Sequence, residues 1–290
     1  MDTISILALA VIIVSILTAV SKRISLTLAL IVANFLVFFL QVFTFGFAIE
    51  LDLGFRPQYL QSGERLYTVL TSIFVHASAM HLLGNMIFLL FIGWPLEERL
   101  GKSRPLLIFL VAGAMGAMFE GMVRLGEPTL ILGASGAIAG LVGALFILYP
   151  KERLTLPLFI IILPNIPVWV AAMAFFLVQL IIALGIWGGG IAVVAHLAGF
   201  VAGMALGWNL PKRTKVVRSG GYDLNSLKPL ATTPELQEML QHIENESQED
   251  VRRAWLEHFA SKAKCPICGS SFTLKRDSLK SECGYEVRLR

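Results

Sequence analysis

Three stretches of otherwise apolar sequence carry side chains that could do acyl-transfer chemistry. They are Gly133-Ala134-Ser135-Gly136, Ala195-His196-Leu197-Ala198-Gly199, and the run from Phe74 to Met86 that contains His76, His81 and Asn85. A serine hydroxyl becomes an effective nucleophile only when a base takes its proton, and a histidine has the ordinary pKa for that exchange near neutrality. Ser135 as nucleophile and His196 as base compose a dyad. His81 and Asn85 stand four apart, so on a helix they share one face and point at one cavity. The Asn85 amide, the His81 ring and the Ser135 backbone N–H are then the donors available to a tetrahedral oxyanion, a role that can contribute a few kcal/mol per donor. The glycines beside Ser135 let another backbone approach closely and leave helix-start amides free. Gly199 and Gly203 form a small-residue face on which the His196 helix can pack tightly against a neighbour.

Each residue alone also has a plainer reading. A serine among glycine and alanine is helix packing, an intramembrane histidine is a proton relay, a ligand or an interhelical hydrogen bond, and Asn85 is interhelical glue. His76, at a loop-helix junction, reads as an interfacial histidine. The combination favours a site, because the residues fill the distinct roles a serine hydrolase needs.

The elements that must position these groups follow from composition. Of 290 residues, 56% are hydrophobic and 15% charged, and the mean hydropathy is +0.73, against about a quarter charged in an ordinary soluble domain. Residues 1–211 hold 10 Lys/Arg and 9 Asp/Glu, whereas residues 212–290 hold 14 and 11. A single water-soluble globule is thereby excluded in favour of a membrane region with a charged tail. Seven apolar segments approach the ~20 residues needed to cross hydrocarbon, at approximately 4–20, 26–46, 78–95, 105–123, 131–149, 165–185 and 190–209. Lys22, Arg23, Arg99, Lys102, Arg104, Lys151, Arg153, Lys212, Arg213, Lys215 and Arg218 fall on one side of these spans, and Arg56, Arg65 and Arg124 on the other. The positive-inside rule then puts the N-terminus and the loop 47–77 outside and the C-terminal tail in the cytoplasm. Segment 4–20 has a second reading as a secretory signal cut near Ala19 and Ser21, but it lacks a basic start and is followed by Lys22-Arg23, which favours a retained helix. The net charge of +4 resides in loops and tail and gives no reason to expect a nucleic-acid partner.

The expected division is an N-terminal helix over 1–25, a membrane core over 26–211, a linker over 212–232 and a tail over 233–290. In the tail, Thr233-Pro234-Glu235 predicts a helix start, with Leu236, Met239, Leu240 and Ile243 at helical spacing up to about Lys262. All three cysteines lie beyond it, so no disulfide framework is implied. Cys265-Pro266-Ile267-Cys268-Gly269 is a turn of the kind that presents two thiolates to one tetrahedral ion, and Glu282-Cys283-Gly284-Tyr285 resembles the end of a zinc ribbon. Lys280 stands where the fourth cysteine would. Two readings stay open: a structural zinc on Cys265, Cys268 and Cys283 with a further ligand such as His258, or a metal-free relic. A redox role is disfavoured, since no βαβ pattern surrounds the Cys-x-x-Cys pair.

Jointly, the serine and histidine motifs resemble those of the rhomboid intramembrane serine proteases over approximately residues 26–209. The resemblance implies an all-α, polytopic membrane bundle: a six-helix rhomboid core plus the extra N-terminal helix, followed by a small cytoplasmic helical and zinc-ribbon-like tail. It implies Ser135 as nucleophile, His196 as general base, Asn85 and His81 as oxyanion ligands, and Gly133 shaping the turn beside the serine. Glu97, in Glu97-Glu98-Arg99-Leu100-Gly101, is implied as a structural tie. No cofactor is implied for catalysis. The expected partners are the lipid bilayer and single-span membrane proteins cut in or beside their helix, in the cell membrane, with the site opening externally. Two departures stand out. Tyr67-Thr68 replaces the Trp-Arg common before Thr71-Ser72, and Ala139 replaces an aromatic four residues after the serine, so loop anchoring and His196 orientation must rest on other groups. The alternatives from other classes are a catalytically silent rhomboid-like protein that binds transmembrane helices, and a transporter using the histidines as proton carriers.

Overall fold

The computed structural model describes residues 1–21, 24–43, 47–158, 161–184, 192–210, 224–246, 249–275 and 278–289. Lys22, Arg23, residues 44–46 of the second expected span, the start of the 190–209 segment, and most of the expected linker with Lys212, Arg213, Lys215 and Arg218 lie outside the described residues. The chain divides into two compact units, Met1–Arg213 and Thr214–Arg290.

Each of the seven apolar segments contains a helix: α1 Thr3–Ser21, α2 Leu26–Phe43, α6 Ala79–Leu100, α7 Ser103–Val123, α8 Ser135–Leu148, α9 Val168–Ala183 and α10 Val193–Trp208. Three short helices, α3 Ala48–Leu53, α4 Tyr59–Ser62 and α5 Thr68–Thr71, build the 47–77 loop. Four helices, α1, α2, α6 and α7, are long and apolar enough to span a membrane by themselves. With three further apolar helices, this is a multi-pass membrane protein.

Two helix starts fall later than the apolar segments suggest. Ile131 is held out of the helix because it pairs with Phe55, donating to its carbonyl at 2.8 Å. Residues before Val168 pair as a hairpin, β1 Arg153–Leu158 with antiparallel β2 Ile161–Pro167. Pro164 and Pro167 lack the donors a helix interior uses, so α9 begins after the second proline.

The centre of the bundle is α8 against α10 and α7, and small residues make it possible. A Cβ on Gly199 would collide with the Gly136 carbonyl, and one on Gly203 with that of Gly140. Helix backbones in contact gain dispersion over their whole length, which substitutes for the hydrophobic effect that lipid does not supply. The neighbour of the Gly199/Gly203 face is therefore the serine helix. At the opposite edge, α1 buries Ala8, Ile12 and Ala19, and the Lys102 ammonium donates to the Ala19 carbonyl at 2.8 Å.

In the second unit, α11 Pro234–Asn245 and α12 Glu249–Lys262 precede a three-stranded antiparallel sheet, β3 Phe272–Lys275, β4 Ser278–Ser281 and β5 Glu286–Arg288. The Thr233 hydroxyl caps α11, accepting from the Leu236 N–H at 3.3 Å, a role usually contributing about 1 kcal/mol. The expected helical stretch is two helices rather than one, since Glu246 leaves helical geometry with extended dihedrals. Leu227 and Leu230, read above as linker, are buried in the same core as Leu236, Ile243, Phe259 and Leu279.

Candidate active site

The serine's placement begins with Gly133. Its φ of +111° is a conformation that L side chains rarely adopt, and its N–H donates to the Ser72 carbonyl at 2.9 Å. A Cβ there would lie 2.8 Å from His81 Nε2 and 3.6 Å from Asn85 Nδ2. Gly133 thus turns the chain from the Ile131 bridge into α8 while leaving the two donors room. Ser135 is the first residue of α8, and Ala134 at the N-cap offers no side-chain acceptor, so no N-cap side chain takes up the first-turn N–H groups, which a helix start leaves without intrahelical partners. At 1.5 Å per residue, the 14 residues of α8 span about 21 Å, less than the ~30 Å hydrocarbon core.

His196 enters on the first turn of α10. Its Nε2 lies 2.7 Å from Ser135 Oγ and its Nδ1 3.0 Å from Gln179 Oε1 on α9. The Phe175 ring lies 6.4 Å away, centroid to centroid. The α10 backbone is held as well. Glu120 on α7, only 2% exposed, accepts from the Ala195 N–H at 3.0 Å through Oε2 and pairs with Arg124 through Oε1. This carboxylate caps α10 from another helix, which is favourable because helix N-termini carry a partial positive charge.

Asn85 is 8% exposed, and its Nδ2 has no hydrogen-bond partner among the described residues. A buried donor left unpaired costs about 1–3 kcal/mol, so it is available to a ligand. His81 is half-buried one turn earlier; the Ser78 hydroxyl caps its helix by accepting from the His81 N–H at 3.2 Å. His76 is 1% exposed, not interfacial, and its ring stands edge-on to His81 at 5.1 Å. A cavity of about 400 Å³ opens beside Ser135 and His196, walled also by His81, Glu120, Arg124 and Leu132. The Ser135 hydroxyl, the His196 ring, the His81 ring and a volume for a reacting group are therefore together.

Glu97 does not reach this site. It accepts from the N–H groups of Leu26 and Thr27, each at 2.8 Å, and from the Ser25 and Thr27 hydroxyls, so it ties α6 to the start of α2. The loop anchors that replace Trp-Arg are now visible. The Tyr67 hydroxyl donates to the Asp52 carbonyl at 3.0 Å, the Thr71 hydroxyl to the Leu53 carbonyl at 2.7 Å, and Arg65 pairs with the Asp52 carboxylate at 3.2 Å. Burial pushes the Asp52 carboxyl up, but the Asp2 N–H, the Ser5 hydroxyl, the N-terminal ammonium and Arg65 together hold it below its usual range. Sequence reasoning missed Gln179 and Glu120. The signal that could have found them is the cost of polar groups inside apolar helices.

In the second unit, the thiols of Cys265, Cys268 and Cys283 lie within 4.8 Å of one another. The Cys265 and Cys283 sulfurs are 3.7 Å apart. Tetrahedral zinc with Zn–S bonds of ~2.3 Å requires a sulfur separation of about 3.8 Å, so the donor set fits three of four ligand positions. His258 is not among the clustered groups; its ring packs on Trp255 at 6.3 Å, because α12 turns it away from the cysteine turn. Ser270 and Ser281 hydroxyls approach Cys268 and Cys283 at 3.1 and 3.2 Å instead. Hydrogen bonds from the Ser270 side chain and backbone bring the Cys268 thiol down to about 6.

Comparison with known proteins places residues 63–213, just over half of the chain, in the Rhomboid domain model. RHOMBOID-like protein 1 of Arabidopsis thaliana is 32% identical over 49% of this chain and 34% of its own length. Rhomboid-like protease 3 of Toxoplasma gondii is 30% identical over 33% of this chain and 35% of its own. Inactive RHOMBOID-like protein 8 of Arabidopsis thaliana is also 30% identical, over 32% of this chain and 26% of its own. The chain spans between about a quarter and a half of the length of the curated relatives it matches.

Proposed function

The chain belongs to the rhomboid family, and on that premise we propose that it is an intramembrane serine endopeptidase that cleaves transmembrane-helix substrates. The observation that carries this reading is the 2.7 Å contact between Ser135 Oγ and His196 Nε2 inside an apolar bundle, beside unpaired donors and a cavity. A binding protein would have no need of a base on a serine.

In the proposed reaction, His196 takes the Ser135 proton as Oγ attacks the scissile carbonyl. The Ser135 N–H, Asn85 Nδ2 and the His81 ring donate to the resulting oxyanion. His196 then gives its proton to the departing amine, leaving an acyl-serine and a free new N-terminus. Water entering through the cavity loses a proton to His196, attacks the ester and releases the carboxylate product and Ser135. No cofactor takes part. Substrates are expected to be single-span helices weak enough to unwind, since an intact helix shields its carbonyls. The site faces the external side by the distribution of Lys and Arg, and the chain resides in the cell membrane with its tail in the cytoplasm. Cys265, Cys268 and Cys283 would hold a structural zinc ion in the tail.

The test is fluorophosphonate labelling of wild-type and Ser135→Ala protein in liposomes, with a library of single-span helices and mass spectrometry of the products. Wild-type labelling and cleavage, both lost in Ser135→Ala, are expected. Labelling that persists without Ser135 overturns the assignment, and helix binding without cleavage supports the silent alternative, for which an inactive relative is a precedent.

A further inference from the structure

The sequence lacks an aromatic at position 139 to hold the base, and Ala139 packs instead with Ala172 and Phe200. Another group must fix the imidazole, because the serine bond alone leaves the ring free to tip about it. The side chains that meet the ring come from α9. Phe175 and Gln179 lie one turn apart on one face of that helix, the first packing near the ring and the second placing Oε1 3.0 Å from Nδ1. Gln179 is 5% exposed and, with Val168 and Ala172, one of the few residues α9 buries. A buried amide in an apolar helix is costly unless its hydrogen bond does something that packing does not.

We propose that Gln179 is a positioning residue that completes a Ser135–His196–Gln179 triad. The inference rests on the proteolytic reading above. A neutral imidazole carries one N–H. With Gln179 Oε1 as acceptor, that proton sits on Nδ1, and the Nε2 lone pair faces the Ser135 hydroxyl. The other tautomer would place a proton on Nε2, where it could not serve as base. When Nε2 takes the serine proton, Gln179 still accepts from Nδ1 and keeps the imidazolium aimed at the leaving amine. The logic is that of the asparagine in cysteine–histidine–asparagine sites, where a neutral amide sets the tautomer and adds no charge. The backbone clamp from Glu120 to Ala195 fixes where the ring starts, and Gln179 fixes where it points.

Gln179→Leu keeps the volume and removes the acceptor, whereas Gln179→Glu keeps an acceptor. Both are measured as full-length protein in liposomes by the second-order rate of fluorophosphonate labelling, by kcat and KM on a cleaved helix, and by 15N spectra of the His196 ring. The leucine variant is expected to lose about 10- to 100-fold in labelling rate and kcat with KM unchanged, and the glutamate variant to recover part of the loss. Wild-type spectra should show protonated Nδ1. A leucine variant that labels at the wild-type rate overturns the proposal, as does a loss shared by kcat and KM that glutamate does not rescue. Should the leucine variant not fold, an Nε2–H tautomer in the wild type overturns it and an Nδ1–H tautomer upholds it. Failure of the proteolytic reading is seen separately, as absence of wild-type labelling, and the tautomer then still decides the contact.

Discussion

The Ser135–His196 pair and the Cys265–Cys268–Cys283 cluster are assembled in opposite ways. The first joins residues 61 apart in sequence, the second residues at most 18 apart. Loop closure alone separates them by only about 1 kcal/mol, so chain length is not what distinguishes them. The cysteines are presented by tight local turns, with the Cys265 N–H donating to the Ser270 carbonyl at 2.8 Å and Gly269 and Gly284 at positive φ. The serine site is held by four other helices: α10 brings His196, α9 its partner Gln179, α7 the carboxylate that anchors α10, and α6 His81 and Asn85. A local site can be disturbed only by its own residues, whereas a distributed one is exposed to any change that alters how helices approach.

The strongest way to break that contrast is Gly203→Leu. Its side chain would meet the Gly140 backbone, and overpacking of this kind costs typically about 1–3 kcal/mol and more against backbone. Fluorophosphonate labelling of Ser135 is expected to disappear although no site residue has changed, while zinc content by atomic emission stays at the wild-type level. Next in size is Cys283→Ser, expected to strip the zinc and to leave the labelling rate of Ser135 as it was; slower labelling would show that the tail acts on the membrane site. Glu120→Leu sharpens the comparison, since it removes a charge-assisted cap of about 1.5–3 kcal/mol and leaves Arg124 paired with Glu127 alone. Thermal unfolding of the membrane unit should fall by several degrees and kcat with it. Tyr67→Phe is the smallest change, deleting one hydrogen bond to Asp52; a stability loss of about 0.5–1.5 kcal/mol with little change in labelling is expected.

Much of the site was legible because the sequence spends polar residues sparingly in its apolar segments. Ser135, His196, His81 and Asn85 stand out against glycine, alanine and leucine, and the roles proposed for them follow from chemistry. Glu97 could be read as a structural tie, and its four hydrogen bonds to the start of α2 give it a place. The start of α8 was not legible. Ile131 and Leu132 are apolar and fit a helix, and only the pairing of Ile131 with Phe55 holds them out of it. The hairpin before α9 was hidden in the same way, because an apolar run does not reveal whether it is strand or helix. His258 had the right chemistry for a fourth zinc ligand, but its helix turns it toward Trp255.

By itself, the sequence determined the solvent of each region, the family the chain resembles, and which atoms could serve as nucleophile, base and anion donor. These depend on residue type and local spacing. Which groups complete the site was decided by tertiary structure alone. Gln179 and Glu120 lie on helices that are apolar nearly all round, and in such helices hydrophobic periodicity does not mark an inward face. Only the backbone contact between α8 and α10, and the seating of α7 and α9 against them, brings an amide to Nδ1 and a carboxylate to the first turn of the histidine helix.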